Sequence, residues 1–592
     1  MKYLITIFLL LSITILPQID STIQKYRDDY KGDLQNRHQG IMDGNLVRTI
    51  FYNNGEVGQW PNQPSGEWPK GTGQSYLDGF AILIASEVTA PGNGQIIHPL
   101  QTSYREWMDR DSITGEPWGL EPVPGYSSPI SINPAISVDS TSWPAAWPLA
   151  LNLSESWNGH WYSYFGRDAF NADFETFFVM DDSRDKEWTR TPFNYFPLAS
   201  DSDRAGLGLR VEVRGFQWDQ ELVEDIIFWH YDIINISDFN YPKTIFGFFT
   251  DCGIGGINDQ FDDCVTFDKT LDLAYCYDGN GLGDPGNWET GYLGYIYLES
   301  PGDGFDGIDN DEDGMIDERR DDGIDNDGDW VPYTDLNGNG VWDPEENESL
   351  NDDVGIDGAG PLDPNYFGPD EGEGDGIPSD GEPNFDKRDN HESDQIGLTA
   401  VSIYRLGDGG LGGGWPKDDE SMWVKMNSGT FDTSLQLANI NIVFSSGPFP
   451  FNIGQREKFS VALLFGENLE DLVYNKTVAQ LYYNSDYKLL DSLTSIEQEW
   501  EPLNSDDFYL FQNFPNPFNP ITKINYQIPV TGMVILKIYD ILGNEIQTLV
   551  NEEKTTGNYS IEFNATYLPS GVYFYRLQAG DFVQTKKMIL LK

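Results

Sequence analysis

A chain of 592 residues that is 39% apolar and 14% aromatic, with 17 tryptophans, can build several packed domains and is not a disordered polymer. Its formal charge of −60 argues against nucleic acid and anionic membrane surfaces as partners, because both are bound through positive charge. Three cysteines, Cys252, Cys264 and Cys276, contain no CxxC zinc pair, and they allow either one disulfide with a free thiol or three buried thiols.

Met1-Lys2 followed by the apolar run Tyr3 to Leu16 has the form of a secretory signal peptide, here taken as residues 1–20. The run is too short to cross a bilayer comfortably, and no later stretch approaches a transmembrane span. Residues 21–300 read as an N-terminal β-rich domain with long loops rich in Gly, Pro and Trp. Val47–Tyr52, Phe80–Val88, Ile226–Ile236 and Thr244–Thr250 are apolar, β-branched runs bounded by turn residues. Leu207 to Arg214 alternates with period two, which predicts a half-buried strand. The loops carry Trp60, Trp68, Trp107, Trp118, Trp143, Trp147, Trp157 and Trp161, which either stack on sugar rings or cover a core. Asp251, Asp259, Asp262 and Asp263 fit a cation site and turn-capping aspartates equally well.

Residues 301–395 are of another kind. They hold 32 acidic against 4 basic residues, a surplus of 28 negative charges, and could not build an apolar core. Asp306-Gly-Ile-Asp-Asn-Asp-Glu-Asp313 returns sixteen residues later as Asp322-Gly-Ile-Asp-Asn-Asp-Gly-Asp329 with one change in eight positions. A twelve-residue calcium loop takes oxygens from positions 1, 3, 5, 7, 9 and 12 around a Gly at 6. Asp335, Asn337, Asn339, the Val341 carbonyl, Asp343 and Glu346, with Gly340 at the turn, match every position.

Asp309, Asp311, Asp313, Met315 through its carbonyl, and Asp317 make a second loop. Its position 12 is Arg320, so a closing ligand must come from elsewhere, such as Asp321 or the next repeat. Asp325, Asp327 and Asp329 begin a third, with Trp330 where Gly belongs and Asp335 available to share. Glu371, Glu373, Asp375 and Glu382 are a weaker fourth set. These loops resemble the aspartate-rich calcium repeats of thrombospondin type 3 and dockerin-like modules, and the resemblance implies calcium as the cofactor. A plain solvated acidic linker is the competing reading; repeated blocks with Gly and Asn at loop positions argue against it.

Strands resume in 396–505, a continuation of the β domain. Apolar residues at helical spacing from Asp471 to Tyr483 predict one helix, at about 469–484. From Phe511 onward the chain is nearly neutral, with 7 basic and 6 acidic residues, in short alternating strands. Six or seven strands in this length make a small immunoglobulin-like sandwich.

Phe511-Gln-Asn-Phe-Pro-Asn-Pro-Phe-Asn-Pro520, Tyr539-Asp-Ile-Leu-Gly-Asn544, Leu568 to Leu577 and the ending Thr585 to Lys592 resemble the type A C-terminal sorting domain of type IX secretion. That resemblance covers 508–592. It implies the type IX machinery as partner and a secreted or outer-membrane location in a Gram-negative bacterium.

No HExxH, nucleophile elbow or phosphate loop is present, and 96 acids always offer carboxylate pairs, so none is singled out as catalytic. The resulting expectation is a mainly β, multi-domain protein. It comprises a β-sandwich with an Asp/Gly-rich calcium-loop insertion and one helix, followed by the C-terminal immunoglobulin-like sandwich. Its expected role is calcium-stabilised and structural or adhesive. The alternative is a carbohydrate-binding or carbohydrate-processing surface protein with surface glycans as partners.

Overall fold

The computed structural model describes residues 21–590 apart from 104–109, 149–156, 257, 312, 344–347, 362–365, 367, 380, 386–387, 391, 407–417, 488–507, 512, 514–517, 519, 540–544, 569–570 and 581. The signal-peptide segment, Trp107, Glu346 and much of the sorting motifs therefore lie outside the described residues. Among the described residues no helix is long and apolar enough to cross a membrane.

The architecture is mainly β, as the strand-rich sequence predicts. After a short helix α1 (Ser21–Asp28), the principal strands are β1 (Leu77–Ser86), β2 (Phe174–Asp181), β3 (Leu209–Gln217), β4 (Ile226–Asn235), β5 (Tyr241–Cys252), β6 (Asp263–Asp268), β7 (Leu273–Asp278) and β8 (Tyr292–Glu299). Beyond the acidic segment come β9 (Ala400–Leu406), α2 (Asp419–Met426), β10 (Ser434–Phe451), β11 (Arg456–Gly466) and α3 (Leu469–Asn484). All pair antiparallel in the order β1-β5-β10-β6-β7-β8-β11-β4-β3-β2, with β9 on the second edge of β10.

The 18-residue β10 turns this ribbon into two layers. Its residues 441–451 pair with β5, whereas Ser434 to Ala438 pair with β6. Within the second stretch Leu437 takes φ +53, a left-handed kink at the bulge where the pairing with β6 shifts register. Between the layers lies the largest core. Phe80, Ile82 and Ile84 of β1, Phe246 and Phe248 of β5, and Ile442 and Phe444 of β10 share one cluster with Val211, Trp229, Tyr231, Val461 and Leu463.

Both outer faces are covered as well. Ala81, Leu83 and Ala85 alternate with the large core residues and make room for Met422 and Trp423 of α2. On the other layer Leu472, Val478, Ala479 and Tyr482 of α3 pack on Phe216, Phe228, Ile296 and Leu464. Asn468 caps α3 by accepting the amides of Glu470 (3.0 Å) and Asp471 (3.1 Å), with those two acids in its positive first turn.

The half-burial inferred for Leu207–Arg214 is corrected here. Leu209, Val211 and Val213 face the core as the alternation predicts, but Arg210 and Arg214 are buried too. Arg210 pairs with Asp29 at 2.8 Å beneath the N-terminal segment, and Arg214 pairs with Glu175. Periodicity cannot reveal a polar face that other loops of the same chain cover. The cysteines resolve into a Cys252–Cys276 disulfide and a free, buried Cys264.

The tail contains β12 (Ile521–Ile528), β13 (Gly532–Tyr539), β14 (Glu545–Lys554), β15 (Gly557–Asn564), β16 (Gly571–Ala579) and β17 (Phe582–Leu590). One sheet pairs Tyr509–Leu510 with β12 and β15, and the other runs β14-β13-β16-β17. Ile524, Tyr526, Leu536, Ile538, Tyr575, Leu577 and Met588 are in their shared core. The Tyr575 hydroxyl accepts the Asn513 amide at 2.8 Å and donates to the Phe511 carbonyl at 2.9 Å, which pins the start of the tail to β16.

Gly215 lies opposite Trp229 in the β3–β4 ladder, and a Cβ there would sit 2.7–3.0 Å from the indole ring. Gly215→Ala should therefore cost about 1–3 kcal/mol, read from the midpoint of urea unfolding.

Candidate metal centre in the acidic insertion

The acidic segment leaves and rejoins the sandwich at one point. β8 ends at Glu299 and β9 begins at Ala400, and between them Gly302 and Gln395 form an antiparallel bridge. The Gly302 amide donates to Glu457 at 3.0 Å and the Asp303 amide to the Asp394 carbonyl at 3.1 Å.

Inside the segment each loop is built in the same way. Its first aspartate accepts amides from further along the loop. Asp309 takes Gly314 (3.1 Å), and Asp325 takes Gly328 (2.9 Å) and Asp329 (3.2 Å). Asp335 takes Gly338 (2.6 Å), Asn339 (3.2 Å) and Gly340 (2.8 Å). Such side-chain-to-backbone turns explain the Asp-x-Asn/Asp-x-Asp/Asn-Gly composition directly.

A second carboxylate, distant in sequence or set beyond the twelve-residue frame, then clasps each loop from outside. Asp394 accepts the amides of Asn310 (2.6 Å) and Asp317 (3.2 Å). Glu392 accepts that of Asn326 (2.8 Å). Glu348 accepts those of Leu336 (2.9 Å) and Asp343 (2.7 Å).

These clasps bring carboxylate oxygens together in groups that could hold a cation. Asp309, Asp311 and Asp313 form one group within 4.8 Å of one another; Asp306, Asp317 and Asp394 form another, as do Asp311, Glu318 and Asp394, and Asp325, Asp327 and Glu392. Asp394 and Glu318 thus converge on the second loop, and Asp321, one of the closing residues expected for it, accepts the Arg456 amide at 3.0 Å. The third loop meets Glu392. Asp329 stands outside these four groups, and partial burial together with Asp389, Asp327 and Asp325 pushes its carboxyl up to about 7.

In the best-matching loop Asn337 accepts the Asn339 amide and Asn339 the Val341 amide, both at 2.8 Å. Met315 is placed likewise, its amide on Asp313 at 2.8 Å. Asp353 organises the fourth set by accepting Gly374 and Gly376 at 2.8 Å each, while Glu382 binds Gly355, Ser379 and the Trp330 indole. Sequence reasoning missed Glu318, Glu392 and Asp394. The last two lie 66–84 residues from the loops they clasp, beyond any local spacing rule.

Calcium takes six to eight hard oxygens at about 2.3–2.6 Å, so two donors on opposite sides of one ion are about 4.6–5.2 Å apart. The all-oxygen donor set suits that shell. Glu318 is the sharpest test of the fit. It is 3% exposed, and neither of its oxygens accepts a hydrogen bond. Burial, then Asp394, Asp313 and Asp311, push its carboxyl up to about 7. A buried carboxylate among carboxylates is costly unless a cation joins it.

Arg320, the misfit at position 12, has another task. Its guanidinium is 1% exposed and donates to Glu299 at the end of β8 and to the Asp389 carbonyl. Glu299 also receives the Tyr483 hydroxyl of α3, and the Lys458 ammonium of β11 lies 3.7 Å away. Lys458 donates to Asn390 at 2.7 Å, and burial pulls its pKa down to about 8. This buried network ties the acidic segment to two strands and a helix.

Elsewhere, Asp259 and Asp262 come together with Asp278, whereas Asp251 sits opposite Asn441 and Gly79 in the sheet. Trp68, Trp147, Trp157 and Trp161 are buried, the last three in a cluster with Phe177 and Tyr126. Trp118 and Trp143 are half-buried and Trp60 is 43% exposed. His230 is held neutral by burial against Tyr487, and His98 lies stacked on Trp423.

The family model for a secretion system C-terminal sorting domain matches residues 512–591. The tail is a type IX sorting domain. With it the chain is a cargo of that secretion route, exported to the cell surface or beyond in Bacteroidetes-type bacteria. No curated protein matches the chain.

Among solved structures, a polysaccharide lyase is 8% identical with a TM-score of 0.16, covering 65% of this chain and 34% of its own. Dimeric latent PorU from Porphyromonas gingivalis is 11% identical with a TM-score of 0.13, covering 64% and 26%. The chain thus spans about a third and a quarter of those two proteins, and scores of this size carry no argument about fold or activity.

Two outcomes follow for the anchor. Arg320→Met leaves Glu299 buried with Lys458 as its remaining cation and should cost about 3–5 kcal/mol in urea unfolding. Glu457 is buried, and desolvation raises its pKa from 4.5 to about 8. A carboxyl raised on folding stabilises fully below the unfolded value and loses that contribution as pH rises through the folded one. The stability Glu457 contributes is thus lost between pH 4.5 and about 8, and Glu457→Gln should flatten the melting-temperature slope in that window.

Proposed function

We propose that calcium folds residues 301–395 of this exported protein into a rigid acidic face on the sandwich, and that the protein's role is structural or adhesive. The observation that carries the reading is Glu318, buried and without a hydrogen-bond partner beside Asp311 and Asp394. The sorting tail adds the setting, since an exported protein meets extracellular calcium, which modules of this kind bind with Kd of about 10⁻⁴–10⁻³ M. At ten times its Kd each site adds about 1.4 kcal/mol to stability. The role is therefore read as structural rather than signalling.

A second reading, binding of surface glycans, draws on exposed Trp60 and on Phe170, 54% exposed and stacked on Trp143 with ring centroids 6.4 Å apart. A glycan array on wild type and on Trp60→Ala/Phe170→Ala reads it directly, and signal lost in the double variant supports it.

Calcium titration calorimetry on the full chain, with melting in calcium and in EDTA, tests the main reading. Two or more ions should bind, and the melting temperature should rise with calcium. Asp394→Asn, which touches two of the oxygen groups, should lower the ion count, and Glu318→Gln should lower affinity. Absence of binding at millimolar calcium would make the segment a solvated spacer.

A further inference from the structure

A separate acidic cluster lies at the end of the sandwich, where β5 runs into the Gly253–Gly256 turn, β6 begins and β7 ends. Ligating oxygens of Asp259, Asp262 and Asp278 lie within 4.8 Å of one another. Asp278 is fixed by its Oδ1, which accepts the amides of Asn280 (2.9 Å), Leu282 (3.0 Å) and Gly281, while its Oδ2 has no hydrogen-bond partner. Asp262 Oδ2 accepts the Asn280 side chain at 2.8 Å, and Asp259 Oδ2 is unpartnered. The side-chain amide oxygen Oε1 of Gln260, in the same turn, is unpartnered as well.

Asp263 supplies the second and independent observation. It is 0% exposed, and neither of its carboxylate oxygens accepts a hydrogen bond. It lies directly opposite Asp278 in the β6–β7 ladder, so the two side chains project from the same face of the sheet. The largest side-chain charges acting on it are those of Asp78, Asp278 and Asp262, all negative; the Ile254 amide favours its charged form but falls outside hydrogen-bond geometry. A buried carboxylate beside other carboxylates is among the costliest groups a fold can carry, and a bound cation offsets that cost.

We propose that Asp259, Asp262, Asp263 and Asp278 bind one calcium ion, independently of the acidic insertion. The ion ties the 253–263 turn to the end of β7, next to the disulfide that joins β5 and β7. Four carboxylates suit calcium better than magnesium, which holds only one or two and keeps several waters. Asp259 and Asp262 are half-exposed, so an ion reaches the site from solvent without opening the core.

Asp263→Asn separates a metal ligand from a merely buried acid, because the two roles predict opposite signs. The full chain, wild type and variant, is melted in EDTA and in calcium, and bound ions are counted by calorimetry. As a ligand, Asp263 becomes Asn at a gain in melting temperature in EDTA, where repulsion is relieved, and at a loss in calcium, with one ion fewer bound. A gain of similar size in both conditions with an unchanged ion count overturns the proposal. If Asp263→Asn does not fold, Asp262→Asn keeps an acceptor for Asn280 on a half-exposed residue and must also bind one ion fewer; an unchanged count there is equally fatal. Asp394→Asn reports on the insertion alone. Counts unchanged in both sandwich variants but lowered in Asp394→Asn remove this site and leave the insertion reading intact.

Discussion

Two carboxylates about 5 Å apart repel by about 1 kcal/mol in water and by several times that where protein partly replaces solvent. This protein sets that problem repeatedly, with 28 surplus negative charges between residues 301 and 395 alone. The chain meets part of the repulsion with its own backbone. Loop amides converge on Asp309, Asp325, Asp335 and Asp353, and further amides meet Asp394, Glu392 and Glu348. What the amides leave uncompensated is concentrated at a few buried carboxylates, Glu318 in the insertion and Asp263 in the sandwich. Those two positions mark where a hard cation has the most to gain.

A segment that repels itself also needs something rigid to be held against. The kinked β10 supplies two layers with every face covered, and the insertion is fastened to one of them through Arg320. Because Arg320, Glu299, Lys458 and Tyr483 come from four different elements, the anchor exists only when strands, helix and insertion are all in place. Arg320 occupies the twelfth position of its loop with this contact, while Asp394 accepts the amides of Asn310 and Asp317 in the same loop.

Export gives these features a common logic. The sorting domain directs the chain to a compartment where calcium is ambient and disulfides persist, as Cys252–Cys276 requires. The tail is nearly neutral and has its own apolar core, so its fold does not depend on the ions proposed for the rest of the chain.

By itself the sequence determined the class of the fold, the sorting tail, and the turn-capping aspartates Asp309, Asp325 and Asp335, because strand periodicity, motif spacing and Asp-x-Asn-x-Asn-Gly turns are local properties of consecutive residues. Tertiary structure alone decided the burial of Arg210 and Arg214 on β3, the fate of the loop tryptophans, and the pairing of Cys252 with Cys276. It also decided which carboxylates clasp the loops, since Glu392 and Asp394 reach theirs only after the chain has travelled out and back across the Gly302–Gln395 bridge. The same holds for Asp278, brought to Asp262 and Asp263 by the β6–β7 hairpin. Burial and metal-like convergence depend on what folds over a residue, and no window of neighbouring residues contains that information.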